Sequence, residues 1–151
     1  MNRNNLILSV LMCLAIISTG CGGDDSSSGN SETTSKVKLE EYSLSFLDRG
    51  SSNSPAKAGQ ITFEVENNGV LNHDFIVVQT DLASDSLEVN SFEAKVNEQT
   101  VGTILGRIPQ EDLEPANTAS LSLNMTPGRY VIFCNVAAHY QSGMHSQFYV
   151  K

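Results

Sequence analysis

Apolar and polar residues alternate with period two over several short stretches of this chain, the pattern of strands with one face on a core and the other in water. Ile61, Phe63 and Val65 alternate with Thr62, Glu64 and Glu66, and Asn67-Asn68-Gly69 follows as a turn signal. Leu121, Leu123 and Met125 repeat the pattern, and Thr126-Pro127-Gly128 then turns the chain into a strand from Arg129 to Cys134. Phe148 and Val150 fit a closing strand. Phe75 to Gln79 is different, because its nearly continuous apolar run predicts a strand buried on both faces. Several such strands between Val37 and Lys151 predict an all-β sandwich or barrel. Residues 87 to 105 fit less well. Phe92, Val96 and Val101 could line one face of a short helix, but Gly102 and Gly106 disfavour it, so a mixed connection with room for a helical turn is expected. At 151 residues, one core is the expectation.

The first 36 residues carry none of this pattern. Arg3 lies in a short polar start, an apolar run extends from Leu6 to Ile17, and Ser18-Thr19-Gly20 precedes Cys21, which reads as an export signal over residues 1–20. The run is too short to span a bilayer. A small-residue triplet directly before a cysteine resembles a bacterial lipobox, and the resemblance implies that Cys21 becomes a lipidated N-terminus; cleavage to a soluble exported protein is the alternative. Residues 21–36 continue with Gly, Ser and polar residues only, which predicts a flexible tether ahead of a domain at 37–151. The expected location is therefore outside the cytoplasm, in the periplasm or extracytoplasmic space, on a membrane.

Removing residues 1–20 leaves 8 basic against 17 acidic side chains. Nucleic acid is then excluded as a partner on charge, and a basic patch on a partner protein is favoured. With Cys13 inside the export run and Cys21 as the lipid site, Cys134 alone remains in the folded region, so no disulfide framework exists there. A lone thiol in an oxidising compartment asks for a reason, and metal ligation is one.

Cys134, His139 and Met144 are spaced Cys-x4-His-x4-Met at the end of a strand. A thiolate, an imidazole and a thioether on one loop form a soft donor set that selects copper over magnesium or calcium. A trigonal copper site needs a second imidazole, and His73 opens the apolar strand about sixty residues upstream. Taken singly, His73 would be a structural residue, Cys134 a small hydrophobe and Met144 core filler; the order and spacing together make them ligands. His145 follows Met144 directly and is expected to face away, toward solvent. Met125 is expected in the core, and Tyr140 and the Asp and Glu residues at the surface. Three histidines and one folded-region cysteine leave no second metal centre, and no Ser-His-Asp arrangement points to an enzyme.

These segments, Asn72-His73-Asp74-Phe75, Pro127-Gly128-Arg129-Tyr130 and Cys134 to Met144, resemble those of the cupredoxins, the blue-copper proteins, and the loop spacing is similar to the auracyanin and sulfocyanin branches. The resemblance implies a Greek-key β-sandwich, one copper ion cycling between Cu(I) and Cu(II), and a monomeric one-electron carrier that meets redox partners transiently. It also implies that electrons leave through His139, with Val136, Ala137 and Ala138 as the surrounding apolar patch. A module that buffers or delivers copper without redox cycling is the rival reading, and a metal-free sandwich for adhesion or assembly a second. Asp74 stands where well-known members often carry Asn or Ser, and a carboxylate there would favour the oxidised metal. His145-Ser146-Gln147 replaces the glycine often found after the axial methionine.

Overall fold

The computed structural model describes residues 32–49 and 54–151. The export segment, Cys21 and all but the end of the tether lie outside the described residues. Two four-stranded sheets face each other. In the first, β1 (Thr33–Glu40), β2 (Ser43–Phe46) and β3 (Gly59–Asn67) lie with β8 (Thr118–Met125) in the order β2-β1-β3-β8. In the second, β4 (Phe75–Gln79), β7 (Thr103–Ile108), β9 (Gly128–Phe133) and β10 (His145–Val150) lie in the order β10-β9-β4-β7. Strands β1 and β3 run parallel and the other pairs within the two sheets antiparallel.

The period-two stretches do what their pattern requires. Ile61, Phe63 and Val65 on β3 join Val37 and Leu39 on β1, and meet Phe75, Val77, Ile132 and Phe148 from the opposite sheet in one buried core that also holds Met125. The continuous apolar run of β4 is explained by a second core on its other face. There Ile76 and Val78, with Val131 and Phe133 of β9, are covered by Leu87, Val96, Val101 and Tyr140. The segment from Thr80 to Gly102 is thus the lid of the second sheet.

That segment carries no helical turn. It holds a short hairpin, β5 (Val89–Asn90) with β6 (Lys95–Val96). The Asn90 side chain accepts the backbone N–H groups of Phe92 and Glu93 and so closes the hairpin turn. Phe92 is 96% exposed at its tip, while Val96 and Val101 are buried as a helix stripe would have had them. Gly102 adopts φ +111°, and a Cβ there would lie 2.4 Å from the Gln79 carbonyl oxygen, so the chain turns back onto β4 where only glycine fits. Helical structure among the described residues is limited to a 3-10 turn at Gln110–Asp112.

Strand β1 also begins earlier than the hydropathy boundary at Val37. Thr33 to Lys36 pair with Ile61 to Glu64 on β3, and Ser35 is buried with its hydroxyl toward Asp48. Backbone pairing recruits these polar residues, which apolar periodicity does not register.

Candidate metal centre

Cys134 follows the last residue of β9 and Met144 precedes the first of β10, so the eleven residues between the strands form one closed loop. The Cys134 N–H donates to the Met144 carbonyl at 3.0 Å and shuts its neck. Inside, His139 N–H donates to Val136, Met144 N–H to His139 and Gly143 N–H to Tyr140, all at 3.0 to 3.1 Å. Gly143 takes φ +113° and Ala138 φ +67°, the two left-handed residues that let the loop coil tightly. Ala138 N–H also donates to Ala94 at 2.7 Å, which fastens the loop to the hairpin.

His73 reaches the same place from another direction. It lies just before β4, and its N–H donates to the Leu113 carbonyl at 3.1 Å. The fully buried Asn67, at the end of β3, donates from its amide to the Leu71 and Leu113 carbonyls at 2.8 Å each, and accepts from Gly69 N–H. One side chain therefore fixes both segments that flank His73.

The three donors converge. His73 Nδ1 and His139 Nδ1 are 3.1 Å apart, and Cys134 Sγ lies 3.4 Å from the second and 3.9 Å from the first. All three side chains are buried, and their ligand atoms lie within 4.8 Å of one another. Burial holds both imidazoles below the usual histidine range, which keeps them neutral and able to donate a lone pair. Burial, reinforced by the Asp74 carboxylate, pushes the Cys134 thiol up to about 12. One sulfur and two imidazole nitrogens at this separation suit a soft, tetrahedral or trigonal ion, and the group could hold one copper ion. Met144 is fully buried at the loop neck, tied by its backbone to both Cys134 and His139.

Around the donors lies a polar frame. Asp74, adjacent to His73, accepts the Asn135 N–H, and its own carboxyl is raised chiefly by burial. The buried Asn135 side chain accepts Val96 N–H at 2.7 Å and donates to the Val96 carbonyl and to Glu98, and Glu98 pairs with Arg107. The residue after each of two donors, Asp74 and Asn135, thus bonds the two halves of the centre together.

Two sequence expectations need correction. Tyr140 is buried and not at the surface, because its hydroxyl donates to the Ser84 carbonyl at 2.8 Å and accepts Leu87 N–H at 2.9 Å beneath the lid segment. His145 stands apart from the donor group as expected, but it is half-buried, with its ring 4.9 Å from that of Tyr140 and Nδ1 3.3 Å from Ser84 Oγ. Two further residues lie near the donors, and one of them, Glu41, is expected at the surface with the other acidic side chains. Glu41 Oε1 is 3.5 Å from His73 Nε2, and the Tyr42 ring stands edge-on to the His139 ring at 5.4 Å. Both lie in the β1–β2 turn, where no motif marks them.

With this geometry in place, the comparisons with known proteins are decisive about kinship. The family model of the sulfocyanin (SoxE) domain matches residues 52–151. The chain belongs to that family. The sulfocyanin match begins after β2 and spans both ends of the donor set. Sulfocyanins are cupredoxins, a class of extracytoplasmic copper electron carriers rather than enzymes. Solved cupredoxins share the fold. Auracyanin from Roseiflexus castenholzii is 21% identical with TM-score 0.55, over 82% of this chain and 99% of that one. Rusticyanin from Thiobacillus ferrooxidans is 15% identical with TM-score 0.55, over 82% and 79%. Auracyanin B is 16% identical with TM-score 0.55, over 79% and 88%. A search of curated proteins finds no match.

Proposed function

We propose that this protein is a membrane-tethered one-electron carrier that holds a single copper ion through His73, Cys134, His139 and Met144. The observation that carries the reading is the buried convergence of two imidazole Nδ1 atoms and one thiol sulfur at one end of the sandwich. Bound copper supplies a one-electron couple. The chain supplies the rest. Cys134 gives up its proton to become a thiolate ligand, and His73 and His139 stay neutral through burial. The self-bonded loop and the Asn67 clamp hold the donors in place whether or not charge changes, which favours fast transfer.

His139 is the exit. It is the donor with some exposure, 4%, and Val136, Ala137 and Ala138 beside it are half-buried or exposed. Partners dock there briefly over a small area, as a carrier must release them. Cys21 is the lipid anchor, and the polar segment after it holds the domain outside the cytoplasm, in the periplasm or extracytoplasmic space.

Adding Cu(II) to the purified protein and recording visible and electron paramagnetic resonance spectra tests the core of this reading. An intense thiolate-to-copper band and a reversible one-electron wave are expected. A protein that holds only Cu(I) would instead be a module for buffering or delivery. Ala138→Glu should slow electron transfer with the copper spectrum intact; unchanged kinetics would remove the His139 exit. Mass spectrometry of the mature N-terminus should find acyl chains on Cys21, and an unmodified cysteine would remove the anchor.

A further inference from the structure

The geometry points to Glu41 as a positioning residue for His73, one that orients its imidazole and places a fixed negative charge on the side of the ring away from Cys134 and His139. This rests on the reading of His73 as a ligand. His73 Nε2 is fully buried and, among the described residues, has no hydrogen-bond partner. Such an atom is destabilising unless something compensates it. The group that faces it is the Glu41 carboxylate, whose Oε1 lies 3.5 Å away.

The fold delivers that carboxylate deliberately. The parallel register of β1 and β3 sets Leu39 beside Asn67, and Asn68 N–H donates to the Leu39 carbonyl at 2.9 Å. The chain just beyond Leu39 is thereby laid against the turn that leads to His73. There Glu41 Oε1 accepts the N–H groups of Val70 and Leu71, each at 2.8 Å. Gly69 makes the space, since a Cβ at that position would lie 2.3 Å from the same oxygen. An oxygen held by two backbone donors on one side and facing a buried imidazole nitrogen on the other is a fixed charge, not a wandering surface carboxylate.

Its effect on His73 follows from the two ring nitrogens. A carboxylate opposite Nε2 favours the tautomer with hydrogen on Nε2, which leaves the Nδ1 lone pair directed at Cys134 and His139. A negative charge at that range also stabilises the more positive metal state. Glu41 precedes the donor segments by more than thirty residues, and the topology alone recruits it.

The test uses the full chain with Glu41→Gln, which removes the charge and keeps an acceptor oxygen, and Glu41→Ala, which removes both. Long-range proton–nitrogen NMR of the metal-free proteins should show His73 with hydrogen on Nε2 in the wild type and as a tautomer mixture in Glu41→Ala. With copper, both variants should lose preference for Cu(II) over Cu(I) by about tenfold, read from the reduction potential. If Glu41→Ala does not fold, Gly69→Ala displaces the carboxylate and should reproduce the tautomer mixture. His73 with hydrogen on Nδ1 in the wild type, or variants matching the wild type in tautomer and potential, would overturn the proposal. A wild type that forms no thiolate-to-copper band would instead overturn the carrier reading, and the tautomer measurement would still decide the role of Glu41.

Discussion

Cys134, His139 and Met144 lie within one loop and are held chiefly by bonds the loop makes to itself, whereas His73 is held from outside it: its N–H donates to Leu113, Glu41 faces its Nε2, and Asn67 clamps Leu71 and Leu113 on either side. The loop forms a small closed unit once β9 and β10 pair. The His73 side exists only when Asn67, Leu113 and Glu41 have been brought together by sheet formation. The donors on the loop are thus secured locally and His73 globally, so the two halves of the centre should fail differently when the protein is perturbed.

The largest expected effect is on the local half. Cys134→Ser should abolish the thiolate-to-copper band while circular dichroism and the unfolding midpoint of the metal-free protein stay close to wild type, because the replacement is small and the backbone bond to Met144 remains. A large loss of metal-free stability would mean that the sulfur also holds the fold. On the global half, Asn67→Ala takes the side-chain donor from the part-buried Leu71 carbonyl and the buried Leu113 carbonyl and should cost about 2 kcal/mol by denaturant unfolding. A cost under about 1 kcal/mol would show that His73 is placed by β4 alone.

Acid should act on both halves with a smaller effect. The three described imidazoles, His73, His139 and His145, are all held below the ordinary histidine value by burial. The unfolded chain therefore binds protons that the fold resists, so their contribution to stability is present above about pH 6.5 and is lost as pH falls below it. Metal-free protein should show a falling unfolding midpoint from pH 7 to 5, and a flat profile would contradict it. The smallest effect belongs to the loop itself. Ala138→Gly relieves a left-handed alanine and should stabilise by about 0.5–1 kcal/mol, with Gly143 left as it is.

The same division decides what could be read without coordinates. The alternation of β3 and β8, the doubly buried β4 and the Cys-x4-His-x4-Met loop are local patterns, and each was legible. Residues 87–96 were not, because strands of two residues are shorter than any period that could reveal them, and Phe92 looks like core until its hairpin is built. Tyr140 was misread for a related reason. Its burial depends on Ser84 and Leu87, more than fifty residues away in the lid segment. Glu41 had no signature at all, since its place follows from a parallel pairing that only three-dimensional topology reveals. Donor identity was local information; the frame that orients the donors was not.

The buried thiol has a consequence for the life of the molecule before any metal arrives. Oxidants and alkylating agents attack the thiolate, and burial beside the Asp74 carboxylate pushes this group up to about 12, so at neutral pH it is held as the thiol. The described part of the chain has Cys134 as its free cysteine, enclosed on every side. Until an incoming cation displaces its proton, the sulfur of Cys134 is therefore kept in a dormant form, shielded by the same burial that places it at the centre.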